Sequence, residues 1–254
     1  MGRALMTPAR LISCYFGADG HFARLARVLA HTAATQCPTW DRRIEAIAPR
    51  PMKSALGVTS HVVNTQKMEH WHDAVAAAPD DARMLLIDAD TMILRPLDDI
   101  WDRAFDFAYT TKETRFPFNS GVVFLRVTPA VREFMRIWRD ENVRMLGDAR
   151  HHTVWRRKYG GINQASLGHA LETGRTTALR ILSLPCLEWN CEDSHWAKFD
   201  PEQTRIVHCK SGLRQAILGM GPATFRRQPD IARLARIWST FEQDALAAAH
   251  GPTR

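Results

Sequence analysis

Asp88 and Asp90 are the residues of this chain whose types and spacing most directly suggest chemistry. They flank a single alanine, Ala89, at the end of an apolar run, Met-Leu-Leu-Ile. Buried strands avoid aspartate because an unpaired charge out of water costs free energy, so two aspartates there need partners. Side chains two residues apart on a strand point to the same side, and two carboxylates so placed can bind one divalent cation. The pattern also fits a strand-end turn in which both aspartates accept hydrogen bonds from backbone amides.

Length and charge narrow the classes of protein and of ligand. The chain has 254 residues, which is enough for a full core and near the upper limit of one domain. Its formal net charge of +7 suits anionic ligands such as nucleotides and phosphates, or an acidic membrane surface. Lysine and arginine are scattered, without the long basic block and interleaved aromatic residues of a single-strand binder. No nucleic-acid partner is therefore predicted.

Cysteine usage and hydropathy indicate the compartment. The five cysteines are odd in number and form no Cys-x-x-Cys pair, so neither a disulfide framework nor a structural zinc site is predicted from them. No stretch approaches the roughly 20 apolar residues of a membrane span. The apolar stretch 11–16 is too short for a signal-peptide core. We expect a cytoplasmic protein with reduced thiols, with peripheral contact to an anionic membrane as an option for its basic C-terminal helix.

The apolar periodicity predicts the elements that must position the acidic pair. Predicted strands cover 11–16, 41–47, 83–87, 105–110, 119–127, 179–184 and 205–207. Predicted helices cover 22–35, 65–77, a segment from Pro129, 162–171 and 231–248. Strands that alternate with helices favour an α/β fold with a mixed, mainly parallel central sheet flanked by helices. Such sheets bind ligands at the carboxyl ends of their strands, where the acidic pair would lie.

Further short segments follow the acidic pair in a definite order. They are Asn119-Ser120-Gly121, Asn163-Gln164, Pro185 with Trp189-Asn190, and His208 with Lys210, Gly212 and Arg214, preceded by the helix segment Lys67-Met68-Glu69-His70-Trp71. Over about residues 10–215 this order resembles the GT-A glycosyltransferases of the glycogenin and bacterial lipooligosaccharide galactosyltransferase type, glycosyltransferase family 8.

The resemblance implies a Rossmann-like GT-A fold with two halves and a tail. The GT-A domain would cover 1–218, with a nucleotide-binding half over about 1–110 and a donor-sugar and acceptor half over about 111–218. Residues 219–254 would form a C-terminal helical extension.

The resemblance also implies the ligands. Asp88, Asp90 and His208 would bind a divalent ion, Mn²⁺ or Mg²⁺, that bridges the phosphates of a nucleotide sugar, a UDP-hexose. A histidine nitrogen at an oxygen-rich site favours manganese. The other implied donor-binding residues are Tyr15, Phe16, Lys67, Ala89, Asn119, Ser120, Gly121, Gln164, Asn190, Lys210, Gly212 and Arg214.

The chain departs from the family pattern at one catalytic position. Gln164 matches the glutamine of the family's Asp-Gln pair near the reacting sugar carbon, but Asn163 stands where the acid would be. Asparagine keeps the hydrogen bonds and loses the charge with which Lys67 would pair. Trp155 and Trp196 lie in segments that look like polar loops, which makes them candidates for acceptor contacts.

The function that these features predict is metal-dependent transfer of a hexose from a nucleotide-diphosphate sugar to an acceptor hydroxyl, with retention. The acceptor would be a glycan, a lipid-linked molecule or a protein. Asn163 also motivates an alternative, a non-catalytic relative that binds nucleotide sugars or glycans. A metal-dependent phosphohydrolase or nucleotidyltransferase ranks last, because further clustered acids and a Walker-type glycine loop are missing.

Overall fold

Strands and helices alternate along the chain much as the apolar periodicity predicts. The computed structural model describes residues 7–17, 20–174 and 178–249. The strands are β1 Arg10–Phe16, β2 Asp41–Ile47, β3 Arg83–Ile87, β4 Thr91–Ile93, β5 Phe107–Thr111, β6 Phe118–Arg126, β7 Ile181–Pro185 and β8 Ile206–His208. The α-helices are α1 His21–Gln36, α2 Thr59–Ala77, α3 Pro129–Gly147, α4 Ala149–Tyr159, α5 Ile162–Glu172, α6 Cys186–Trp189, α7 Ser211–Ile217 and α8 Pro229–Ala249. Short 3₁₀ helices cover Asp98–Asp102, Trp196–Lys198 and Phe225–Arg227.

Six of the described strands form one sheet, in the order β2-β1-β3-β6-β5-β7. Strand β1 runs parallel to β2 and β3, and β5 runs parallel to β7, whereas β6 is antiparallel to both of its neighbours. This mixed, mainly parallel sheet confirms the predicted fold class. A separate antiparallel pair, β4 with β8, sets Thr91 opposite His208 and so links the segment after the acidic pair to the distant histidine.

The sheet is buried on both faces because its central strands alternate between two cores. Met84 and Leu86 of β3 pack into the core formed with α2, α3 and α5, whereas Leu85 and Ile87 pack into the core on the α1 side. A strand with both faces covered reads as a continuous apolar run, which is why β3 is so clear in the sequence.

The C-terminal helix α8 packs onto the rest of the chain. Trp238 is buried in one core with residues of α1 and α7, and Arg24 of α1 forms an ion pair with Glu242, Nε to Oε1 2.8 Å. Residues 219–249 therefore share a core with the preceding domain, while 250–254 and 1–6 lie outside the described residues. The predicted division at 218 stays a prediction. Among the described helices, α8 included, none combines the length and the apolar character needed to cross a bilayer.

Three helical regions differ from the sequence prediction. Helix α2 begins at Thr59, six residues before the predicted Thr65. The prediction missed this start because the first turns are polar and β-branched and carry no apolar stripe. The predicted polar loop around Trp155 is wrong, since Trp155 lies in α4 with its ring stacked on Tyr159. Asp148 caps α4 by accepting bonds of 3.0 Å from two backbone amides. Trp196 also does not lie in a polar loop with its ring free for an acceptor. It belongs to a 3₁₀ helix and is only 5% exposed.

Candidate functional site

A cavity of about 540 Å³ opens at the carboxyl ends of β1 and β3. That volume suits a small-molecule ligand, and the position is the one that open α/β sheets use for binding. Most of the predicted site residues line it, namely Tyr15, Phe16, Lys67, Asp88, Ala89, Asp90, Asn119, Ser120, Asn163, Gln164, His208, Lys210 and Arg214. The three that do not are Gly121, Asn190 and Gly212.

The acidic pair lies in a tight turn between β3 and β4, not on a strand as the periodicity suggests. The amide of Asp88 donates to Gly121 O at 2.8 Å, and Thr91 Oγ1 donates back to Asp88 O at 2.7 Å. The amide of Cys209 donates to Asp90 O at 2.7 Å. Turn geometry fixed by these bonds brings the two carboxylates together, so the expectation of convergence holds for a different geometric reason.

His208 completes a group of three metal-type ligands. Asp88, Asp90 and His208 each offer one ligand atom, and these atoms lie within 4.8 Å of one another. His208 Nε2 is 3.2 Å from Asp90 Oδ1 and 3.7 Å from Asp88 Oδ2. Asp90 and His208 are buried. The β4–β8 pairing is what delivers the histidine across more than a hundred residues of sequence.

Two cationic side chains balance the charge of the pair. Lys67 Nζ bonds to Asp88 Oδ1, and Arg214 Nη1 lies 3.0 Å from Asp90 Oδ2. Burial alone raises the pKa of Asp90, but its interactions with His208, Arg214 and Lys67 outweigh burial and hold that pKa at about 2. Asp90 is therefore ionised at neutral pH and available to a cation.

Asn190 lies behind His208. This placement does not support the predicted contact of Asn190 with the nucleotide-sugar donor. Asn190 is fully buried, and its Oδ1 is 3.1 Å from His208 Nδ1. Its Nδ2 donates to Thr110 Oγ1 at 2.9 Å, and that hydroxyl donates to Asn119 O at 2.9 Å. With the amide so anchored, Oδ1 accepts from Nδ1–H, and Nε2 is the ring nitrogen that faces the two carboxylates. Asn190 is a positioning residue for His208.

Replacing Asn190 with leucine is expected to weaken Mn²⁺ binding about 10- to 100-fold, because the imidazole loses the acceptor that fixes its tautomer and orientation. Isothermal titration with Mn²⁺ measures the change, and thermal unfolding confirms that the variant folds. Asn190→Asp keeps an acceptor for Nδ1–H and should retain the affinity. Equal Mn²⁺ affinity in Asn190→Leu and the parent chain would contradict the role of His208 as an oriented ligand.

Gly121 forms the floor of the ligand group. A Cβ atom at this position would lie 2.6 Å from His208 Cε1, 2.7 Å from Asp88 Oδ2 and 2.9 Å from Asn119 Oδ1. Only glycine lets β6 approach these side chains so closely. Gly212, by contrast, faces Ile231, whose Cδ1 would be 3.2 Å from an added Cβ. The side on which an added Cβ would lie is filled by the packing of α7 against α8, and the predicted phosphate contact of Gly212 stays a prediction.

The comparisons with known proteins bear on the fold. No protein-family model and no curated protein matches the sequence. A glycosyltransferase involved in glycosylation of the major capsid of PBCV-1 superposes with a TM-score of 0.58 at 15% identity, covering 84% of this chain and 100% of that one. The galactosyltransferase LgtC, solved with donor and acceptor sugar analogues, gives 0.52 at 11% identity, covering 92% of this chain and 95% of that one. The chain has the GT-A glycosyltransferase fold.

A third structure adds to this match. The glycosyltransferase GlyE of Streptococcus pneumoniae superposes with a TM-score of 0.54 at 12% identity, covering 96% of this chain and 65% of that one. The GT-A fold that the ordered motifs imply is thereby confirmed, and it accounts for the mixed sheet and for the position of the cavity at its edge.

In this GT-A chain, helix α5 presents Gln164 to the cavity in a fixed orientation. Gln164 Nε2 donates to Phe118 O at 2.9 Å and to Tyr159 O at 3.0 Å. Both N–H groups are thus used, and Oε1 is the atom left for a ligand. In one orientation of the Asn163 amide its Oδ1 accepts from Asn142 Nδ2 at 2.8 Å, and in the flipped orientation Oδ1 accepts from Lys67 Nζ at 3.3 Å. Lys67 therefore bridges Asp88 and the position at which the resemblance expects an acid.

The GT-A cavity has a wall that the sequence prediction missed. Thr59, Ser60, Val63 and Asn64 of α2 line it together with Lys67. Ser60, Val63, Asn64 and Lys67 follow the i, i+3, i+4, i+7 spacing of one helix face, which is the signal that could have found them. That signal was hidden because the helix was predicted to begin at Thr65.

Lys210 stands at the rim of the cavity in contact with two acids. Its Nζ bonds to Glu192 Oε2 and lies 3.3 Å from Asp193 Oδ1. Glu192 is fully buried, and Lys112 Nζ is 2.9 Å from its Oε1. Burial raises the pKa of Glu192, but hydrogen bonding and the two lysines outweigh burial and hold it well below the usual range. The carboxylate of Glu192 thus anchors Lys210 beside the cavity.

Proposed function

We propose that this chain transfers a hexose from a UDP-sugar to an acceptor hydroxyl with retention, in a reaction that depends on a divalent metal. The observation that carries the proposal is the convergence of Asp88, Asp90 and His208 in the cavity of a GT-A fold, with Gln164 lining the same cavity. The solved structures that match are described as glycosyltransferases, and one is a galactosyltransferase with sugar analogues bound.

The ligand group fits Mn²⁺ or Mg²⁺ in its chemistry. Two carboxylates supply hard oxygens, and His208 Nε2, oriented by Asn190, supplies a nitrogen that favours manganese. Gly121 keeps the space above it free of a Cβ atom. When bound, a divalent ion would supply charge neutralisation for the diphosphate leaving group.

The remaining cavity residues suit the other parts of a nucleotide sugar. Tyr15 and Phe16 end β1 with rings that line the cavity, where a nucleotide base could stack on them. Lys210 and Arg214 stand where phosphate oxygens would accept charge-assisted hydrogen bonds. Asn119 and Ser120 supply polar groups for sugar hydroxyls. Each of these roles belongs to the proposal.

Gln164 supplies the chemistry next to the anomeric carbon. Its Oε1 is the free end of an amide fixed by two hydrogen bonds, so a partial negative charge is preorganised toward the cavity. That oxygen stabilises positive charge on C1 as the C1–O bond to phosphate breaks, and it orients the acceptor hydroxyl. The hydroxyl oxygen forms the new bond to C1 from the same face, and its proton passes to the departing phosphate oxygen. This scheme needs no separate general base.

Gln164→Leu is expected to lower kcat about 100-fold while UDP affinity stays unchanged, because the preorganised oxygen acts on the transition state. Steady-state assays of free UDP give kcat, and titration gives the affinity of UDP. The control is Gln203→Leu at an exposed glutamine that bonds to Asp200. An unchanged kcat in Gln164→Leu would refute the role given to Oε1.

The proposal is tested by incubating the protein with a panel of UDP-sugars, with Mn²⁺ or with EDTA, and following free UDP and bound donor separately. Metal-dependent release of UDP supports it, with slow hydrolysis expected before the acceptor is identified. Failure of every donor to bind would overturn it. Glycan, lipid-linked and protein acceptors are then compared by the increase they cause in UDP release.

Asn163 favours one second candidate function, a non-catalytic protein that binds nucleotide sugars. The amide at this position approaches Lys67 Nζ to 3.3 Å but carries no charge. In the same assay, a binding protein would retain UDP-sugar without releasing UDP. Asn163→Asp, which places a carboxylate beside Lys67, would then distinguish the two cases. If the chain lacks turnover because a catalytic charge is missing, the variant gains UDP release; if the chain is a binding protein, the variant still releases no UDP.

A further inference from the structure

A second group of metal-type ligands lies among the helices, outside the cavity described above. Glu141 of α3, His151 of α4 and His169 of α5 each offer one ligand atom, and these atoms lie within 4.8 Å of one another. None of the three residues lines the cavity. The group joins three consecutive helices, which are also linked by hydrogen bonds from Asn142 of α3 to α5 and from Tyr159 of α4 to Glu172 of α5.

The contacts within this group are short and largely shielded from water. His151 Nε2 bonds to Glu141 Oε1, and His169 Nδ1 is 3.5 Å from Glu141 Oε2. The two imidazole rings are 5.2 Å apart and nearly perpendicular. The side chains of Glu141, His151 and His169 are 7%, 15% and 11% exposed. Two ring nitrogens from different helices therefore point at the two oxygens of one buried carboxylate.

The surroundings hold the ligands in place. The ring of Trp155 packs edge-on against His169 with centroids 4.7 Å apart, which restricts its rotation. Arg144 Nη1 lies 3.7 Å from Glu141 Oε2, but its side chain is 59% exposed. An exposed arginine at that distance neutralises the carboxylate only weakly. A cation seated between the three ligands would satisfy the charge of Glu141 more fully.

We propose that Glu141, His151 and His169 form a second metal site, specific for a borderline transition metal and for Zn²⁺ in particular. Two imidazole nitrogens and one carboxylate are a ligand set that zinc takes in proteins, with a water molecule as the fourth ligand. The nitrogen-rich composition separates this site from the Asp88, Asp90 and His208 group, which has two oxygens to one nitrogen and suits manganese or magnesium.

The position of the second site assigns it a structural role. A metal there cross-links α3, α4 and α5, and α5 carries Asn163 and Gln164 at its first turn. Helix α4 offers little apolar surface, with only His152 and Tyr159 buried among its eleven residues. A cross-link through His151 would stabilise the helix that has the fewest buried residues of the three.

The experiment uses the full chain with Asp90→Asn and His208→Ala, so that the first ligand group is disabled. After chelation and desalting, Zn²⁺ is titrated by calorimetry, and Co²⁺ is titrated as a probe by its visible absorption. One equivalent of Zn²⁺ is expected to bind. At a free concentration 100 times Kd, the Tm is expected to rise by about 5–10 °C. EDTA should reverse the rise.

Variants assign the binding to the three ligands. His151→Ala and His169→Ala are each expected to lose the equivalent, and Glu141→Gln, which retains the size of the side chain, should weaken Zn²⁺ binding at least about tenfold. The matched control is His72→Ala, whose imidazole pairs with Asp73 at 2.9 Å outside the group, and it should bind Zn²⁺ normally.

Two results would overturn the second site. One is the absence of both Zn²⁺ binding and a Zn²⁺-dependent rise in Tm in the background protein, whose folding is checked by circular dichroism; this result does not depend on the folding of His151→Ala or His169→Ala. The other is Zn²⁺ binding that persists in both His151→Ala and His169→Ala. Neither result bears on the proposed transferase activity, because the first ligand group is disabled in this background.

Discussion

Replacing Asp90 with asparagine is expected to abolish the dependence of UDP binding on Mn²⁺ and to lower UDP-sugar turnover about 1,000-fold. Asp90 is buried, and interactions with His208, Arg214 and Lys67 hold its pKa at about 2. It is thus held in the ionised form that a metal needs. Asparagine keeps the shape and removes the charge, which leaves one carboxylate and one imidazole as ligands. Calorimetric titration of UDP with Mn²⁺ or EDTA measures the first effect, and release of UDP measures the second.

The matched control for this change is Asp80→Asn at the opposite end of β3. The Asp80 side chain is 70% exposed and pairs with Arg132, so its loss should leave both measurements within twofold of the parent chain. Mn²⁺-dependent UDP binding that survives in Asp90→Asn would contradict the assignment of Asp90 as a ligand. Circular dichroism shows whether Asp90→Asn folds. If it does not, Asp88→Asn tests the same ligand group, and the same loss of metal dependence is expected.

Gly121→Ala is expected to lower UDP-sugar turnover about 100-fold without removing any functional group. The added Cβ would lie 2.6 Å from His208 Cε1 and 2.7 Å from Asp88 Oδ2. These side chains are held by Asn190 and Lys67, so relief of the overlap must displace at least one proposed ligand. Misplacement of about 1 Å is enough for such a loss. Mn²⁺ affinity should fall at least about tenfold, which is the loss that follows when a residue orienting a metal ligand is mutated.

A glycine with free space around it provides the control for Gly121→Ala. Nothing lies within 4 Å of a Cβ added at Gly147, the last residue of α3. Gly147→Ala should leave turnover and Mn²⁺ affinity unchanged and should leave the protein equally or more stable. If Gly121→Ala retained full turnover, the ligand group could not need the close approach of β6.

The strands and long helices followed from local patterning. Apolar side chains alternate in β3 between two cores, and α3 and α8 carry regular apolar stripes, so each has a period that the sequence shows directly. Helix α4 was missed because its face is basic, and its start depends on the Asp148 cap instead of an apolar stripe. The start of α2 was missed for a similar reason. Its first turns face a polar cavity.

The candidate site was predictable in its membership more than in its geometry. Asp88 and Asp90 stand out because two acids after a buried run need a partner, and the ordered motifs named His208 as that partner. The turn that joins the two aspartates, the role of Asn190 behind His208 and the role of Gly121 beneath it required the folded chain. The packing of Gly212 against Ile231 also required the folded chain, because Ile231 belongs to the distant helix α8.

The sequence by itself determined the α/β class, the order of the elements and the residue types gathered at one edge of the sheet, because periodicity and chemistry are local properties. Tertiary structure alone decided which side chains meet. Thr110, Asn190 and His208 form one hydrogen-bonded chain because Cys191, next to Asn190, bridges to Val207 of β8. Glu141, His151 and His169 form one ligand group because three helices pack side by side. Such contacts depend on distances between residues far apart in the chain, which no local pattern encodes. The sequence pointed to the acidic pair, and the fold placed His208 beside it, Gly121 beneath it and Asn190 behind His208.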